Sequence, residues 1–76
     1  MSYFLLVYDR ALGQLRELRR FPDSERECAL TARFARERQE QGRPEIEVML
    51  LGAASEEALR KTHARYFRTP EELLSN

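Results

Sequence analysis

Tyr3-Phe4-Leu5-Leu6-Val7-Tyr8 is the stretch that decides the fold. Six apolar or aromatic residues run in succession and stop at Asp9-Arg10. That is the length of a strand and too short for a typical helix, and Tyr, Phe and Val favour a pleated chain. Alternation sends Tyr3, Leu5 and Val7 to one face and Phe4, Leu6 and Tyr8 to the other. A strand that is apolar on both faces belongs in the middle of a sheet.

Working outward, Asp9 can cap its own turn, and Gly13 four residues on can take positive φ, so residues 9–14 read as a hairpin loop. The returning segment, 14–21, is ambiguous. Leu15, Leu18 and Phe21 recur every three residues, which neither strand nor helix explains. The strand reading is preferred. Its arginines and glutamate are the charge load of a protected edge, and a helix here would leave only two strands, which are seldom stable alone.

Pro22-Asp23-Ser24-Glu25-Arg26-Glu27 carries a helix start, with Ser24 and Glu27 spaced as a capping box. Cys28, Leu30, Thr31, Phe34 and Ala35 are expected to share the buried face of that helix, and Gly42 to stop it before Pro44. Glu45 to Leu51 reads as a second inner strand, with Ile46, Val48 and Leu50 on one side and Met49 and Leu51 on the other. After Gly52-Ala53-Ala54, Ser55 caps a second helix supported by Glu56–Arg60 and Glu57–Lys61 pairs. Its buried stripe is read as Leu59, Thr62, His63, Tyr66 and Phe67. Thr69-Pro70-Glu71-Glu72 repeats the helix-start signal, so 69–76 read as a short appended turn or a frayed tail.

The order strand, strand, helix, strand, helix implies a single α+β domain over residues 1–76. A right-handed crossover from the second strand sets the third beside the first. The expected architecture is a two-layer ββαβα sandwich: a three-stranded antiparallel sheet of order 2-1-3 with both helices on one face and a short C-terminal helical turn. Two helices then cover one face only. The open apolar face then holds three residues of the first strand with Met49 and Leu51, or else the opposite set, and Phe4, Leu6, Tyr8, Met49 and Leu51 are the candidate interface.

Composition narrows the chemistry. With 76 residues the chain buries about 60–65% of its unfolded surface, which makes its stability marginal. It carries 13 basic and 13 acidic residues, so no net field draws it to nucleic acid or membrane. Twelve of the 13 basic residues are arginine, a bias that a G+C-rich genome explains as readily as function does. A single cysteine cannot staple the chain, and neither a secretory leader nor a membrane span is expected, so the cytoplasm is the expected compartment.

No metal site is expected from one Cys, one His and two Asp without ligand spacing, and the three scattered glycines make no phosphate loop, so no cofactor or small-molecule ligand is expected either. Cys28, His63 and Asp9 are better explained by packing and turn formation than as a nucleophilic trio. Asp9, at the end of a first strand, suggests a metal-dependent nuclease, but no further acid closes the next strand. The leading expectation is therefore a small non-catalytic interaction domain, a homodimer or a module docking on a larger protein. The alternative is an RNA- or ribosome-associated module using Arg10, Arg16, Arg19 and Arg20 of the hairpin with Arg33, Arg36, Arg38 and Arg43. No stretch resembles a family of known function.

Overall fold

The computed structural model describes residues 1–68, and the helix-start signal at Thr69 lies outside the described residues. Strand β1 spans Ser2–Asp9, β2 Gln14–Pro22 and β3 Ile46–Ala53. Helix α1 spans Arg26–Gln39 and α2 Glu56–Thr62, with single 3-10 turns at Asp23–Glu25 and Ala64–Phe67. β1 is central in the order β2-β1-β3 and antiparallel to both neighbours, as the doubly apolar pattern requires. β2 and β3 therefore run parallel on either side of it, and α1 makes the crossover between them.

The hairpin is held as its residues dictate. The Leu12 N–H donates to Asp9 Oδ1 at 3.0 Å, and Gly13 takes φ +64°. A bulge then interrupts β2. Val7 faces Glu17 while Tyr8 faces Leu15, so Arg16 is the extra residue. This resolves the spacing of three. Leu15 and Leu18 share one face because Arg16 is inserted between them, whereas Phe21, opposite Tyr3, lies on the other face.

The two helices lie on opposite faces of the sheet, which corrects the expectation that both cover one. Ala29 and Ala32 of α1 pack with Leu5, Phe21, Tyr3, Val48 and Leu50. Leu59 of α2, with Tyr66 and Phe67 of the following 3-10 turn, packs with Phe4, Leu6, Leu15, Leu18, Met49 and Leu51. The fold is α+β with the sheet as its middle layer. Both faces of β1 are buried within one chain: Phe4, Leu6 and Val7 are fully buried and Leu5 nearly so.

Several local readings shift with this. Ser24 makes no cap hydrogen bond, because 23–25 form a 3-10 turn and α1 begins at Arg26. The inward stripe of α1 is alanine and not the bulkier set, since Leu5, Phe21 and Leu50 already fill the space above the sheet. Cys28, Thr31 and Phe34 are exposed. Gly42, with φ +84°, ends the α1 segment as expected. β3 begins at Ile46 and runs on through Gly52 to Ala53, at an edge and not inside the sheet.

Ser55 caps α2 as expected, its Oγ accepting from the Ala58 N–H at 3.1 Å, and the Glu56–Arg60 and Glu57–Lys61 pairs form at 3.1 and 3.6 Å. Thr62, expected on the buried stripe, is exposed, and its hydroxyl donates to the Ala58 carbonyl at 3.1 Å.

Candidate interaction surface

Phe4, Leu6, Tyr8, Met49 and Leu51 do converge, as their alternation requires, but not on an open face. Phe4 and Leu6 are 0% exposed and Tyr8 is 4% exposed. Leu59, Tyr66 and Phe67 supply the cover. The Tyr66 ring meets Tyr8 edge-on at 5.0 Å, and its hydroxyl donates to Glu47 Oε2 at 3.3 Å. Burial first, and the Glu47 charge second, raise the Tyr66 phenol above its ordinary value, with Arg65 opposing. Met49 and Leu51 are half-buried in the same cluster. This face is a core within one chain, which removes Phe4, Leu6 and Tyr8 as contact residues.

The hairpin arginines have partners in the chain. Arg10 donates to the Pro44 carbonyl, and Arg16 lies 3.9 Å from Asp9. Arg19 stacks over Phe21 at 4.8 Å, and Arg20 Nε donates to Ser2 Oγ at 3.0 Å. Arg19 and Arg20 fall on opposite faces of β2, so the four residues make no single basic surface. On α1, Arg33 pairs with Glu37, and Arg36 bridges Glu17 at 2.5 Å and Glu40 at 3.3 Å. Arg43 sits 3.8 Å from the same Glu40.

The catalytic trio is not assembled. Cys28 is on α1, His63 follows α2, and the sheet separates them. Among the described residues no cluster of His, Cys, Asp or Glu is placed to hold a metal ion. A groove of about 170 Å³ runs between α1 and β2, lined by Glu17, Arg19, Ala32, Ala35, Arg36 and Gln39. Its central charges, Glu17 and Arg36, satisfy each other. No helix among the described residues is long and apolar enough to cross a membrane.

What remains open is an edge. β2 carries five charged or amide side chains, a bulge and a terminal proline, all devices that block strand addition. β3 has no bulge and no proline, and Glu47 is the one charged residue in its eight; none of its residues is fully buried. The phase of its ladder follows from one bond: the Arg10 N–H donates to the Glu45 carbonyl at 2.8 Å. Counting by twos, the exchanged pairs fall at Tyr8/Glu47, Leu6/Met49 and Phe4/Leu51. The main-chain groups of Val48, Leu50 and Gly52 therefore point outward, and among the described residues nothing pairs with them.

Helix α1 extends this surface. The groove residues Ala32, Ala35, Arg36 and Gln39 fix its β2 side. By helical geometry Leu30 and Phe34 then lie on its β3 side. Leu30 is half-buried and Phe34 is 57% exposed. Phe34, whose spacing predicts burial, is thus an exposed residue of α1. The signal that finds the β3 edge is the contrast between two flanking strands, one charged and one apolar, once their order is known. Searched against protein-family models, curated proteins and solved structures, the chain finds no match in any of the three.

Proposed function

We propose that this chain is a small non-catalytic protein-interaction domain that acts as a homodimer. The observation that carries the reading is β3, an eight-residue apolar strand left at an edge beside a neighbour-but-one that is fully protected. An edge of that kind is a template for another strand. Selection against uncontrolled pairing acts on every soluble sheet, so an undefended edge on one side only fits a partner that occupies it. The edge, and not the face of Phe4, Leu6 and Tyr8, serves this role, since that face is filled from within the chain.

The RNA or ribosome reading draws less support, because all of its arginines but the exposed Arg38 have partners within the chain: Asp9, Glu17, Glu37, Glu40, Ser2, Phe21 and the Pro44 carbonyl. A lone, exposed cysteine suits a reducing compartment, and the cytoplasm is the location we propose. Light scattering across the micromolar range tests the reading: a molar mass of two chains is expected. A single-chain mass persisting to high micromolar concentration overturns it.

A further inference from the structure

We infer that β3, with the adjoining flank of α1, takes a second copy of this chain in antiparallel register about a twofold axis at Leu50. This rests on the homodimer reading and specifies its geometry. Antiparallel strands related by a twofold axis normal to the sheet must set residues of the same face opposite each other. Only even sums of residue numbers are therefore allowed. Centring on Leu50 pairs Leu50 with its own copy and Val48 with Gly52 of the second copy. Val48, Leu50 and Gly52 are then all used, in about six main-chain hydrogen bonds.

Side chains favour the same centre. It sets Met49 against Leu51 of the second copy and leaves Glu47 opposite Ala53. Moving the axis to Met49 would put Glu47 against Leu51 and set Gly52 opposite Ile46, whose N–H is already given to the Arg43 carbonyl.

The flank of α1 is self-complementary in the same sense. Arg26, Leu30, Phe34 and Glu37 follow one another along the β3 side of the helix. Two antiparallel copies bring Leu30 to Phe34 and Arg26 to Glu37, each contact occurring twice. The exposed ring of Phe34 gains a cover, and Arg26 gains an opposite charge in Glu37, which also pairs with Arg33 of its own chain. The product is a six-stranded sheet of order β2-β1-β3-β3-β1-β2. Its outer edges are the two charged, bulged β2 strands, which stop further addition. The assembly is closed.

The test uses the whole chain with Cys28→Ser, carrying Leu50→Cys in one variant and Arg19→Cys in another, treated with a short thiol–thiol cross-linker. Leu50→Cys is expected to give a covalent dimer at low micromolar concentration and Arg19→Cys to stay monomeric. Phe34→Glu, at an exposed position that folding does not require, is expected to weaken the dimer at least tenfold with an unchanged circular dichroism spectrum. A wild-type dimer in which Leu50→Cys fails to cross-link and Phe34→Glu changes nothing overturns this geometry and leaves the homodimer standing. A monomeric wild type removes both.

Discussion

Leu15 and Leu18 point to the same face of the sheet although they are three residues apart, because Arg16 is the extra residue of a β-bulge between them. Deleting Arg16 restores strict alternation and leaves every other pair of the hairpin in place. The shortened chain should stay folded, within about 1 kcal/mol of wild type in urea unfolding. Deleting Arg19 instead must shift either Leu18 or Phe21 to the wrong face, at about 2–5 kcal/mol. Equal losses from the two deletions would contradict the bulge.

Leu59 is the one fully buried residue of α2, and it closes the face above Phe4 and Leu6. Leu59→Ala should cost about 3 kcal/mol, a large share of what a domain of this size has. Thermal unfolding should then fall by roughly 10 °C or more. The freed face should bind an apolar dye that the wild type ignores. A loss under about 1 kcal/mol would mean that the second helix is not a structural layer.

Arg36 and Glu17 tie α1 to β2 at 2.5 Å, with both side chains only partly exposed. Because the pair is still reached by water, its coupling in a Glu17→Gln, Arg36→Met double-mutant cycle should be about 0.5–1 kcal/mol and should shrink with added salt. No coupling would assign the approach of α1 to the sheet to Ala29 and Ala32 alone.

Tyr66 joins the cover to the sheet through Tyr8 and Glu47, and its phenol is raised by burial and by the Glu47 charge. An acid raised in the folded state holds its proton more tightly there than in the unfolded chain. Its contribution is therefore complete below the ordinary phenol value, about 10, and is lost as pH rises through the folded value. Stability should hold to about pH 10 and then fall. Tyr66→Phe should cost about 0.5–1 kcal/mol at neutral pH from the lost hydrogen bond. Above pH 10 the gap between variant and wild type should narrow, and parallel pH curves for the two would discount the Tyr66 contact.

Much of this protein is legible from residues alone. The unbroken apolar run from Tyr3 to Tyr8 names the central strand, because only a strand flanked on both sides needs two apolar faces. Asp9 with Gly13, Gly42, and Ser55 with its acidic first turn mark where segments reverse, since each meets a local demand for a cap or a positive φ. Strand order follows from chain connection. These features depend on neighbours in sequence, so sequence is enough to find them.

The face each helix takes is of another kind. Leu5 and Val7 on one side of β1, and Phe4 and Leu6 on the other, offer equal apolar surface, so no pattern in β1 distinguishes one helix over each face from two over the same face. That choice, and with it the burial of Phe4, the exposure of Phe34 and the open edge of β3, was decided only when α1, α2 and the sheet competed for the same volume.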